Sequence, residues 1–238
     1  MSGRTSGAVL AGGRSRRLGL DKTTLPWPPL AAQDEGAGAP FPPLPKSVAA
    51  LPRLGRGPRG APGATLLEHT AGTLAALCDE VLVAGYRGAR PLPPRLRAVP
   101  DLFPEGGSLG GIYSALQAAS HDVLLAVATD MPFLSLPLLR WMLAQPRDYD
   151  VLLPVREGQG QGEGAGAEPL HAVYGKGCLG PMRRRLEGGR LRIRALFDEV
   201  RVREVPAEVL RRLDPQGLSF FNINTPEDLQ RAREILSR

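Results

Sequence analysis

Apolar positions along this chain fall into two periods, and the two alternate. Short stretches of strand length, apolar or with polar residues interspersed, occur at residues 7–11, 81–84, 96–99, 123–128, 150–154, 170–174 and 200–205. Between several of them the period lengthens. Leu66, Leu67, Thr70, Leu74 and Leu77 recur at helical spacing and predict an amphipathic helix. Further helices are expected at residues 112–119, 137–144, 179–186, 191–197 and 226–236. The last has a clear start, with Thr225 as N-cap, Pro226 at the first helical position and two acids in the first turn. The run Val123 to Ala128 is apolar almost throughout, which suits a central parallel strand covered on both faces. Strands alternating with helices predict an α/β fold, a three-layer α/β/α sandwich around a mostly parallel, Rossmann-like sheet. At 238 residues a single domain spanning 1–238 is expected. Two stretches interrupt the pattern. Residues 28–63 are rich in Pro, Gly and Ala, and residues 157–168 are of low complexity. Neither composition can bury much apolar surface, so both read as insertions between well-formed elements.

Charge narrows the partners. The chain has 30 basic and 24 acidic residues, a formal net charge of +6. That excess suits small polyanionic substrates, and no basic stripe with interleaved aromatics argues for nucleic acid. Arg183, Arg184 and Arg185 read as a solvated helix face. Cys78 and Cys178 are isolated, which points to a reduced cytoplasmic protein without a zinc site, Cys78 being a small core residue of its helix. The apolar run at residues 8–11 is too short for a signal peptide, and no stretch reaches transmembrane length, so no membrane association is expected.

The chemistry concentrates after strands. Val9-Leu10-Ala11-Gly12-Gly13-Arg14-Ser15-Arg16-Arg17-Leu18-Gly19-Leu20-Asp21-Lys22 runs from a strand into a glycine turn with basic residues behind it. Glycines let a backbone turn sharply and approach a ligand. Freed N–H groups can cradle phosphates, and Arg17 and Lys22 can neutralise them. The segment is neither a P-loop nor a dinucleotide fingerprint. Its plain alternative is a glycine-rich hairpin with solvated arginines. Asp101, with a glycine-rich loop at residues 106–111 that includes Gly110, forms a second cluster, and Asp130 a third. In an open α/β sheet such clusters converge outside the carboxyl ends of the strands. Asp130, held at the end of a rigid apolar strand, suits Mg²⁺, which takes one or two carboxylates plus substrate phosphates; the plain alternative is a turn cap. Asn224 reads either as a neighbour of that metal or as a residue preceding a helix. Asp101 reads as a turn residue or a nucleotide contact, and the glycine loop as a connector or a close approach to a base. His69 is expected on a helix surface, His121 in a loop, and His171 in strand packing rather than lining the cleft. No nucleophile constellation or Gly-x-Ser-x-Gly elbow occurs. That fits direct transfer between phosphates, where positioning and charge neutralisation supply the catalysis.

The first segment resembles the signature loop of the MobA-like nucleotidyltransferases, which make molybdenum cofactor guanine dinucleotide. Other segments resemble that family in the same order: Ala64-Thr65-Leu66-Leu67-Glu68-His69, Val99-Pro100-Asp101 with Gly107-Ser108-Leu109-Gly110-Gly111, Ala128-Thr129-Asp130-Met131-Pro132-Phe133, Pro169-Leu170-His171-Ala172-Val173-Tyr174, and Phe221 to Leu229. Almost the whole chain outside the two insertions is covered. The resemblance implies a nucleotide-diphospho-sugar transferase type of fold and transfer of GMP from GTP to molybdopterin, releasing pyrophosphate. It implies backbone contacts to the nucleotide at Leu10, Ala11, Gly12 and Gly13, with Asp101 and Gly110 also touching it. Lys22 would bind phosphates with Arg17 supporting the loop, and Asp130 would hold Mg²⁺ with Asn224 nearby; Lys22, Arg17 and Asp130 would be catalytic. GTP and molybdopterin would be the substrates, and molybdoenzyme-maturation proteins candidate partners. Gly12-Gly13 favours the guanylyl enzymes over cytidylyl and sugar-nucleotide relatives, which more often carry Ala-Ala-Gly. Two positions depart from the pattern. Leu18 replaces a usual methionine, and Ala84-Gly85-Tyr86-Arg87 lacks an asparagine that some members place against the nucleotide. Use of CTP, a sugar or polyol phosphate acceptor, and an inactive nucleotide-binding adaptor are the alternatives.

Overall fold

A computed structural model describes residues 4–12, 21–27, 64–88, 90–156 and 166–237. The strands are β1 (Ser6–Leu10), β2 (Glu80–Ala84), β3 (Leu96–Val99), β4 (Val123–Ala128), β5 (Val151–Pro154), β6 (His171–Gly175) and β7 (Val202–Val205). The helices are α1 (Leu66–Ala75), α2 (Gly107–Ala118), α3 (Leu136–Leu143), α4 (Leu179–Glu187), α5 (Ala207–Leu213) and α6 (Pro226–Leu236). The strands form one seven-stranded sheet in the order β3-β2-β1-β4-β6-β5-β7.

Side-chain alternation explains why the central strands read as continuous apolar runs: both faces are covered. Ala8, Leu82, Leu124 and Ala126 point to one side and pack with Ile112 and Leu116 of α2 and Met182 of α4. Val9, Val83, Leu125 and Val127 point to the other and meet Leu67 and Leu74 of α1, Leu138 and Met142 of α3, and Val209 of α5. A third cluster of Leu25, Trp27, Leu66, Phe133, Ile223 and Ala232 fastens α6 and residues 21–27 beside α1. Thr65 starts α1 with a capping box completed by Glu68, and Thr225 starts α6 with one completed by Asp228.

The sheet is mostly parallel, as expected, and several finer expectations are corrected. Strands β1 to β4 are mutually parallel where they pair and β7 is parallel to β5, but β6 runs antiparallel to both β4 and β5. So β4 has one antiparallel neighbour. An apolar run reports burial on two faces and carries no information about a neighbour's direction. The glycine-rich loop expected at residues 106–111 is mostly helix, because α2 begins at Gly107. Each glycine costs a helix about 1 kcal/mol, and burial of Leu109, Ile112, Tyr113 and Leu116 offsets it. Gly110 is needed there, since a Cβ would lie 2.8 Å from the Phe103 carbonyl oxygen. The helix expected at 191–197 is a short 3-10 turn, Ile193–Leu196. Helix α5 was not anticipated. Cys78 lies just beyond α1, partly buried.

Candidate active site

The strand order reverses between β1 and β4. From β1 the chain crosses to β2 on one side, while β4 lies on the other. Such a switch point leaves a crevice outside the carboxyl ends of the strands. Leu10 and Ala128 end the two strands opposite each other. The backbone is sewn together there, with Thr129 Oγ1 donating to the Leu10 carbonyl at 2.9 Å and Ala11 N–H donating to the Ala84 carbonyl at 2.9 Å.

Three chain segments meet over this crevice. Lys22 sits in a turn organised by Asp21, whose Oδ1 accepts from the Thr23 N–H at 2.9 Å and its hydroxyl at 2.7 Å. Asp130 follows β4 in a turn, and its carbonyl accepts from the Ile223 N–H at 3.0 Å. That bond brings in the residues before α6. Asn224 is fixed there because its N–H and that of Thr225 both donate to Asp228 Oδ2 at 2.9 Å. Lys22 Nζ then donates to Asp130 Oδ2 and to Asn224 Oδ1, each at 2.7 Å. These are short, charge-assisted contacts. Three predicted site residues, 108 and 202 positions apart from Lys22, therefore share one point.

The other predicted residues occupy the same edge. Leu10, Ala11 and Gly12 lead out of β1. Gly12 faces Gly85, which takes φ +70°, and a Cβ on Gly85 would lie 3.2 Å from the Gly12 Cα. Glycine at position 85 lets these turns touch. Val99 ends β3 beside Ala84, and Asp101 follows it. Three strand spacings, roughly 14 Å, separate β3 from β4, so Asp101 and Asp130 stand at two ends of the crevice. Asp101 makes a turn, with Oδ1 accepting from the Phe103 N–H at 3.1 Å. Gly110 packs against that turn and commits its N–H to the Gly106 carbonyl inside α2. Gly13 and Arg17 lie outside the described residues.

Two histidines differ in their settings. His69, expected on a helix surface, hydrogen-bonds the Pro132 carbonyl at 2.8 Å and lies beside Trp27. Burial pushes its pKa down, opposed by the bond to Pro132. This neutral ring holds the turn after Asp130. His171 is wholly buried on β6, as strand packing demands. Sequence reasoning passed over Asp21, Thr129 and Asp228 as supporting residues. Their signal was adjacency to Lys22 and Asp130, and an acid in the first turn of α6. Among the described residues no group of three or more His, Cys, Asp or Glu side chains is disposed to hold a metal. None of their helices is long and apolar enough to cross a membrane.

Residues 60–205 match the family model described as the MobA-like NTP transferase domain. The chain belongs to this family. A probable molybdenum cofactor guanylyltransferase of Pelotomaculum thermopropionicum is 35% identical over 228 residues, covering 96% of this chain and 91% of that protein. A molybdenum cofactor guanylyltransferase of Desulfosudis oleivorans is 33% identical over 175 residues, covering 73% and 83%. Among solved structures, molybdopterin-guanine dinucleotide biosynthesis protein A of Archaeoglobus fulgidus is similar with a TM-score of 0.67 at 24% identity, covering 98% of each chain. That likeness bears on the fold alone, and it agrees with an α/β sandwich of nucleotidyltransferase type. The family match contains Asp101 and Asp130. Lys22 and Asn224 lie outside residues 60–205, and the geometry joins them to Asp130.

Proposed function

We propose that this chain is a guanylyltransferase that moves GMP from GTP to molybdopterin. The convergence of Lys22, Asp130 and Asn224 at the switch point carries the reading, and the guanylyltransferase relatives support its substrates. The triphosphate lies against Lys22 and the turn after β1, and the base lies toward Asp101 and the start of α2. The terminal phosphate of molybdopterin attacks the α-phosphorus in line, the bond to the β-phosphate oxygen breaks, and pyrophosphate leaves. Lys22 supplies charge to the phosphates, with Arg17 supporting the loop, and the backbone of Leu10, Ala11, Gly12 and Gly13 with Gly110 shapes the nucleotide site. Two oxygens that already converge on one cation suit a hard divalent ion, so Asp130 and Asn224 are the residues that would hold Mg²⁺. Bound there, it neutralises charge on the transferring phosphate. Both cysteine thiols are held at about 12, by burial and then by nearby acids. Unreactive thiols suit the reducing cytoplasm, where we assign the reaction, with molybdoenzyme-maturation proteins as recipients of the product.

Thermal shift with GTP, CTP, UTP and ATP, each with Mg²⁺, tests the base assignment. A selective GTP shift is expected. A selective CTP or UTP shift keeps the chemistry and rejects the guanylyl assignment. Lys22→Ala and Asp130→Ala should each lower transfer to molybdopterin by about a hundredfold or more, with the circular dichroism spectrum unchanged. Near-normal turnover in either variant removes its assigned role.

A further inference from the structure

Lys22 closes a small oxygen-lined site. Its ammonium lies 2.7 Å from a carboxylate oxygen and 2.7 Å from an amide oxygen, a position that a metal ion would compete for. We propose that the Lys22 ammonium is the resident cation of the nucleotide-free site, excluding a free divalent ion until a triphosphate draws the lysine away. This rests on the reading that nucleotide and divalent ion meet here, and adds the order in which they arrive.

Charge balance supports it. Among the described residues of the cluster, Asp130 is the acid not otherwise committed. Asp21 is engaged with Thr23, and Asp228 with the N–H groups of Asn224 and Thr225. One carboxylate charge is thus matched by one ammonium charge. A divalent ion entering beside Lys22 would face a like charge at contact distance, with no second uncommitted acid among the described residues of the cluster to compensate. The exchange is also mechanically simple. Lysine is a point charge on a flexible four-carbon stem, and Asp21 bonds Thr23 rather than the lysine side chain. Asn224 is exposed and Asp130 partly so, which leaves the cluster open to an incoming phosphate. A triphosphate offers Lys22 new oxygen partners. When the ammonium turns to them, Asp130 and Asn224 are released together for the metal that the phosphates carry. The metal therefore enters with the nucleotide, and free metal does not occupy the site first.

Manganese titration followed by electron paramagnetic resonance, on the full chain without nucleotide, tests the proposal. Wild-type protein should bind Mn²⁺ weakly. Lys22→Met should bind one Mn²⁺ at least tenfold more tightly. Lys22→Arg, which retains a cation, should resemble wild type. Adding Asn224→Ala to Lys22→Met should remove most of the gain. Equal Mn²⁺ affinity in wild type and Lys22→Met overturns the proposal, as does tight Mn²⁺ binding by wild type alone. Lys22→Gln, read in the same way, serves if the methionine variant melts early. A separate titration of wild type with Mn²⁺ and GTP together reads the functional assignment. Failure to bind the pair counts against that assignment, whereas binding of the pair with no gain in Lys22→Met counts against the resident cation alone.

Discussion

His171 of β6 is an ionisable side chain buried beside the central strand β4. It is fully buried, neither ring nitrogen completes a hydrogen bond, and Phe220 packs 5.1 Å away. Burial lowers its pKa from 6.5 to about 4, a contact with the Ser219 backbone opposing this only in part. The folded protein therefore keeps the ring neutral while the unfolded chain protonates it. Between about 6.5 and about 4 the unfolded state binds more protons, so stability rises with pH there and is lost as pH falls through that window. The full drop corresponds to about 3 kcal/mol. His171→Leu removes the titrating group and two unpaired nitrogens together. At pH 7 the variant should be as stable as wild type or more so, and its melting temperature should fall less between pH 7 and pH 5. An equal fall in both proteins would show that His171 is not the titrating group. A residual slope from His69, shifted in the same direction, is expected.

At the level of elements, Glu80 joins three strands at the edge opposite the site. Its carboxylate accepts from Ser6 Oγ at 2.6 Å, Ser120 N–H at 2.6 Å and Arg97 Nη2 at 2.9 Å. It thereby ties β1, β3 and the turn before β4 to the start of β2. Burial pushes its pKa up, but the bonds from Ser6, Arg97 and Ser120 outweigh that and hold it at about 2. Glu80→Gln should cost about 2 kcal/mol, read as a lower urea midpoint at pH 7, with nucleotide transfer unchanged. A folded-state pKa below the unfolded one stabilises above about 4.5, and that contribution is lost as pH falls toward about 2. The deficit of the variant should therefore shrink as the medium is acidified across that window. The same elements show what sequence can carry. β1, β2 and β4 were legible because each carries a compact apolar run, and α6 because its cap is explicit. The direction of β6 was not, since pairing depends on distant strands. Nor was α5, whose sole buried residue is Val209, so no periodic stripe exists to read.

Over the whole molecule, strand order assembles the site. Lys22, Asp130 and Asn224 were each visible from sequence as polar residues at the ends of elements, and Asp101 likewise. Their division into a three-residue cluster and a separate acid was not visible, because it follows from β1 and β4 being neighbours while β3 lies beyond β2. The same geometry bears on residues 28–63. The Trp27 N–H donates to the Ala64 carbonyl at 2.8 Å, and the Leu66 N–H to the Leu25 carbonyl at 2.8 Å. The chain thus departs at Trp27 and returns at Ala64 beside its own point of departure. Trp27 is itself anchored, with its ring 5.9 Å from Phe133 and 6.0 Å from His69. The segment bearing Lys22 is therefore held by contacts that do not involve residues 28–63. Shortening a segment whose ends are already joined changes the closure entropy only slightly, about 0.6 kcal/mol for each halving. Replacing residues 28–63 with a flexible Gly/Ser linker of about six residues should leave the melting temperature within a few degrees of wild type and preserve the GTP-dependent shift. A collapse of the melting temperature would make the stretch part of the folded unit. Loss of the GTP response in a chain that still melts normally would make it part of the nucleotide site.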